Sequence, residues 1–149
     1  MELPFSLPTY EARVQRVLAG MAAEGLDVLL VTLPDNIHYL TGYNTIGYLW
    51  FQAVVLSPEL EGPVFVTRTT EEPGTWITSN ARDAVFYDIA VEDPVQVTAE
   101  VLRKRRLAAR TVGVEMASFT VLPAQWETLQ RELPEATFED GSLVVAEVR

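Results

Sequence analysis

The feature that most constrains this chain lies near its N-terminus, where an amphipathic stretch ends at a glycine and gives way to a segment with no polar face. Tyr10, Val14, Val17, Leu18 and Met21 recur at helical spacing and predict a helix from Tyr10 to Glu24 with Thr9 as its N-cap. Gly25 stands where a left-handed residue is wanted after the last turn, and Leu26 can fold back onto that turn. The strand expected from Asp27 to Leu33 then carries Val28-Leu29-Leu30-Val31, apolar on both faces. Such a strand belongs in the middle of a sheet with helices on each side.

The rest of the chain repeats this alternation. Pro34-Asp35-Asn36 is expected to break the first strand and open a loop over 36–51. Trp50 to Leu56 and Pro63 to Arg68 read as an antiparallel hairpin turning near Glu61-Gly62. A helix is expected over Glu71 to Asn80 and a short strand at Val85-Phe86-Tyr87. Asp93-Pro94 starts a helix that should reach Ala108, followed by a strand from Thr111 to Met116. Leu122 to Leu133 reads as a helix ended by Pro134, and Thr137 to Asp140 as an edge strand. With 149 residues, 48% of them hydrophobic, the chain suffices for a single domain with one core. The expected fold is an α/β three-layer α/β/α sandwich with a mixed sheet, of the ribonuclease H-like kind.

Composition narrows the chemistry. Twenty-one acidic against 11 basic residues give a net charge of −10, which opposes nucleic acid and anionic membrane surfaces as partners. The absence of cysteine removes disulfides, thiolate catalysis and Cys-ligated metals, and suits a cytoplasmic protein. No apolar run approaches the roughly 20 residues of a membrane span, and the N-terminus has no signal-peptide pattern. His38 is the single histidine, so a histidine-built metal site is excluded. No Gly-x-Ser-x-Gly elbow or phosphate-cradling loop is present. The acidic pairs Glu71-Glu72 and Glu92-Asp93 fall at helix starts, where capping explains them, and Glu139-Asp140 adds a third pair. Arg103 to Arg106, with Arg110, is placed by its helix at a C-terminus, where cations need no external partner.

What remains is the loop over 36–51, dense in tyrosine and tryptophan, which either pads the core or forms an interface. Here a resemblance enters. Tyr10-Glu11-Ala12-Arg13, the stripe to Met21 and the run Glu24 to Val31 resemble the opening helix and strand of creatinase/prolidase-type N-terminal domains. Asn36-Ile37-His38-Tyr39-Leu40-Thr41-Gly42-Tyr43 is similar to the asparagine and Tyr-Leu-Thr-Gly-Tyr loop that follows in that family. Looser similarity continues through Val64 to Arg68, Gly113-Val114-Glu115 and Val144 to Arg149.

The resemblance implies that residues 1–149 form a non-catalytic N-terminal domain, with a catalytic "pita-bread" domain absent from this chain. The parent would be a hydrolase acting on a C–N bond, either an Xaa-Pro peptidase (aminopeptidase or prolidase) or a creatinase-like enzyme. The chain itself would hold no cofactor, and a divalent metal (Mn, Co or Zn) would belong to the catalytic domain of a peptidase. By the same resemblance the domain forms a homodimer and lends side chains to the rim of an active site. The candidates are Asn36, Tyr39, Tyr43, Tyr48, Trp50, Arg68 and Trp76. An arginine would clamp a substrate carboxylate, and aromatics would wall a proline or another small ring. The alternative is a free-standing α/β binding module that uses the Tyr-rich loop over 36–51. A ribonuclease H-like nuclease ranks last, because its carboxylates would have to converge from strand ends.

Overall fold

The computed structural model describes residues 3–149. Helix α1 (Leu7–Ala23) starts earlier than expected, with Ser6 rather than Thr9 at the N-cap, because Pro8 sits in the first turn where no amide hydrogen is needed. Its end follows the sequence. Gly25 has φ 71°, and Leu26 and Gly25 donate to the carbonyls of Met21 (2.9 Å) and Ala22 (3.2 Å), the paired bonds of a Schellman end.

Strand β1 (Val28–Val31) is buried throughout. It is joined by β2 (Ala53–Leu56), β3 (Val64–Arg68), β4 (Asp83–Tyr87), β5 (Thr111–Val114) and β6 (Thr137–Asp140) in the spatial order β4-β3-β2-β1-β5-β6. The β2–β3 hairpin is antiparallel, and β2 also runs antiparallel to β1. The pairs β1–β5, β5–β6 and β3–β4 are parallel. The sheet is therefore mixed, as the hairpin requires.

Alternation along the strands divides the core in two. Leu29, Val31, Val54, Leu56 and Phe65 face α1 and helix α2 (Pro34–Thr41), packing on Val14, Val17, Met21, Ile37 and Leu40. Val28, Leu30, Val55, Val66, Val112 and Val114 face α4 (Pro94–Lys104) and α5 (Pro123–Glu132) through Val95, Ala99, Leu102 and Leu129. Three layers result, as expected.

Two boundaries differ from the sequence reading in ways that matter for the site. Residues 36–41 are helix and not loop, because Pro34 occupies the first position of α2 instead of breaking the chain, while 42–45 and 50–51 are loop as expected. The helix closes at Gly42 (φ 80°) and leads to a 3-10 turn over Ile46–Leu49, so that Trp50 and Phe51 lie outside β2. Helix α4 stops at Lys104 instead of Ala108, since burial of Leu107 turns the chain back. Arg106 takes the left-handed conformation there (φ 61°), and Leu107 donates to Leu102 (2.8 Å).

By this topology β1, β3, β4, β5 and β6 all end on the edge where β2 begins. The connections on that edge carry exposed Ile46, Leu49, Val91, Phe119, Leu122 and Leu143.

Candidate functional site

Arg68 ends β3 on that same edge, and its guanidinium carbon lies 3.9 Å from the centroid of the Trp50 ring. A terminal nitrogen donates to Glu71 Oε1 at 2.6 Å. The other Glu71 oxygen accepts from the Tyr43 hydroxyl (3.0 Å) and the Thr45 hydroxyl (2.6 Å). Gly47 lies against this carboxylate, and a Cβ there would approach the Glu71 carboxyl carbon to 2.6 Å. A side chain at position 47 would force the carboxylate to shift. The Arg68 Nε is buried and has no partner among the described residues.

Burial pushes the Glu71 carboxyl up, but the bonds from Thr45, Arg68 and Tyr43 outweigh it and hold the group below its ordinary value. Burial, reinforced by the Glu71 charge, pushes the Tyr43 phenol up to about 12. Tyr87, across the β3–β4 register from Arg68, is likewise pushed to about 12 by burial, and its hydroxyl donates to the Phe51 carbonyl at 2.5 Å. A carboxylate held below its ordinary value is a weaker base than a free one. The cluster is suited to presenting an oriented cation and an aromatic face.

The structure thus brings Tyr43, Trp50 and Arg68 together, with Tyr48 exposed in the adjoining turn. It does not bring Asn36, Tyr39 or Trp76 to them. The Asn36 amide is buried and donates to Glu115 (2.6 Å). Tyr39 donates to the Val148 carbonyl (2.9 Å) and accepts from Arg16 (2.9 Å). Trp76 packs edge-on against Phe86 of β4, with ring centroids 5.7 Å apart. His38 Nδ1 lies 3.1 Å from the Gly42 carbonyl, engaged with main chain.

Two acids outside the expected candidates stand out. Glu71 makes no capping bond to α3 (Glu72–Thr78), because its side chain turns to Arg68 and Tyr43. Glu115, 1% exposed, accepts from the amides of Thr32 and Leu33 (both 2.7 Å) as well as from Asn36. Its signal was an acid directly after the apolar run Val112-Gly113-Val114. Asp93 does cap α4, accepting from Val95 (2.8 Å) and Gln96 (3.1 Å).

Of the basic cluster only Arg103 and Lys104 lie in the last turn of α4. Arg103 bonds Glu100 and Glu132, while Arg105 bonds Asp83 and Arg110 pairs with Glu59. Among the described residues no three His, Cys, Asp or Glu side chains are grouped to hold a metal ion, and no helix is long and apolar enough to cross a membrane. A groove of about 400 Å³ lies at the opposite end of β3, between α1 and the β2–β3 turn. Three of its four carboxylates, Glu11, Glu59 and Asp83, are paired with Arg82, Arg110 and Arg105, and Glu61 is the fourth.

Residues 13–149 match the model of the creatinase/prolidase N-terminal domain. The chain is 34% identical to an uncharacterized hydrolase/peptidase of Sinorhizobium fredii, over 99% of its own length and 39% of that protein's. It is 31% identical to an ectoine hydrolase of Halomonas elongata, over 97% of its length and 38% of the relative's. In both cases it spans well under half of the longer protein. Its fold is similar to that of an Xaa-Pro aminopeptidase from Streptococcus pyogenes, with a TM-score of 0.75 at 24% identity, covering 97% of this chain and 100% of that one. The alternating layers, the mixed sheet and the family match together place this chain in the creatinase/prolidase N-terminal domain family.

Proposed function

We propose that this chain is the non-catalytic assembly and substrate-rim domain of a larger hydrolase that cleaves a C–N bond in an Xaa-Pro peptide or a small amidine-like or cyclic compound. The observation that carries this reading is the Arg68 guanidinium, stacked on Trp50 and steered by Glu71 on an edge rich in exposed apolar side chains. An arginine so fixed would receive a carboxylate, and Trp50 with Tyr48 would wall its ring. Matches to a longer hydrolase/peptidase and a longer ectoine hydrolase support the hydrolase assignment. In this reading a C-terminal domain supplies the catalytic groups, including a divalent metal (Mn, Co or Zn) if the parent is a peptidase, and the assembly is a homodimer.

The test uses the chain as it stands. Light scattering across a concentration series is expected to give a dimer mass, and Leu49→Asp, which places a charge on the exposed turn, is expected to return the monomer. An Xaa-Pro dipeptide with added manganese is expected to remain uncleaved. Turnover by this chain alone would sink the proposal, as would a monomer mass at every concentration.

A further inference from the structure

Asn36 stands between two charged groups that want different things from it. Its Nδ2 donates to Glu115 Oε1 at 2.6 Å, and its Oδ1 accepts from the Arg149 guanidinium at 3.1 Å. Glu115 Oε2 accepts from the backbone amides of Thr32 and Leu33. Every neighbour bonded to this carboxylate is a donor, so the site is built for the anion. A protonated Glu115 must donate, and backbone amides cannot accept. Among the described residues the one side chain hydrogen-bonded to Glu115 is that of Asn36, and its amide turned by 180° offers Oδ1 to Glu115 and presents its NH₂ group to Arg149. Arginine has no acceptor, so its bond to Asn36 is then lost.

We infer that Asn36 is a shared acceptor through which a proton on Glu115 and the Arg149 hydrogen bond exclude one another, making the hold on the C-terminal segment proton-sensitive. The remaining surroundings allow this. Thr32 Oγ1 is bonded to Thr120 from the loop after β5. Asp140 of the neighbouring β6 is engaged by Ser142 and held below its ordinary value. Asp35 on α2 is mostly exposed and 3.9 Å from Arg149, too weak a contact to retain it. Tyr39 still holds the Val148 carbonyl, so the release is confined to Arg149. Burial pushes the Glu115 carboxyl up against the bonds from Leu33, Asn36 and Thr32, which favours the protonated form.

Because the two events are linked, each weakens the other by the same factor. In Arg149→Met, carboxyl-carbon NMR is expected to show Glu115 binding its proton about tenfold more tightly, the effect of one charge-assisted hydrogen bond. The increase should persist in about 0.5 M salt, which screens a through-space charge effect. In the unaltered chain, protection of the Arg149 amide from exchange should fall severalfold across the Glu115 titration. Glu115→Gln, which offers an NH₂ group to Asn36 at every pH, should show the low-pH value at pH 7. An unchanged Glu115 titration in Arg149→Met, or a change abolished by salt, would overturn the inference. Flat Arg149 protection across that titration would do the same, and neither result depends on the Gln variant folding.

Discussion

Glu115 shows how much one side chain can decide at the residue scale. It reaches from the end of β5 to the first turn of α2, where Leu33 makes no capping bond of its own, and satisfies two amides of the β1–α2 connection. Removing it leaves two buried donors and one part-buried donor without a partner, each buried one costing about 1–3 kcal/mol. Glu115→Ala is therefore expected to lower stability by about 3 kcal/mol or more, read from the urea midpoint at unchanged slope. The two buried phenols make a separate prediction. Tyr43 and Tyr87 ionise near 12 in the folded chain, above the ordinary value of 10, so the folded state keeps protons that the unfolded state releases. Their contribution is whole below pH 10 and is lost as pH rises toward 12. Stability should fall through that window, and Tyr43→Phe should blunt the fall. Neither acid network was legible in the sequence. Glu71 follows 26 and 28 residues after its hydroxyl partners and Glu115 follows Asn36 by 79, separations that no local pattern reports.

At the scale of the element, local signals worked wherever the chain's own backbone chemistry was enough. Gly25 ended α1 and Asp93 began α4 as the sequence required, since each acts on amides or carbonyls within a few residues. Asp93→Ala should cost about 1 kcal/mol through two uncapped amides, seen as a lower melting temperature. The same logic failed where one residue type has two uses. Pro34 in a strand-ending run signals a break, but a proline also starts helices, and burial of Ile37 and Leu40 against the sheet decides between the two. Burial of Leu107 likewise ends α4 early and holds Arg106 in a conformation that glycine adopts without strain. Arg106→Gly is expected to raise stability by about 0.5–1 kcal/mol, the relief of strain being partly offset by the freer unfolded chain. A lowered urea midpoint in that variant would contradict the assignment of strain.

At the scale of the whole molecule, the dimer expected under the proposed function should be concentration-dependent and weakened by Leu49→Asp, because Leu49 projects from the sheet edge instead of supporting the core. The layered architecture was legible because it follows from periodicity. A strand apolar on both faces has to be covered twice, and the helical stripe before it supplies one of the covers. The family resemblance was legible for the same reason, since it rests on contiguous blocks of sequence. What the sequence by itself determined was the order of the strands and of every α-helix but α2, the mixed sheet, and a supply of one histidine and no cysteine. Only the tertiary structure decided which tyrosines face inward, which acid orients Arg68, and that Asn36 and Tyr39 bond to the C-terminal segment. The physical reason is range. Periodicity and capping act over a few residues, whereas buried hydrogen bonds join groups that become neighbours only after the sheet has brought distant strands side by side.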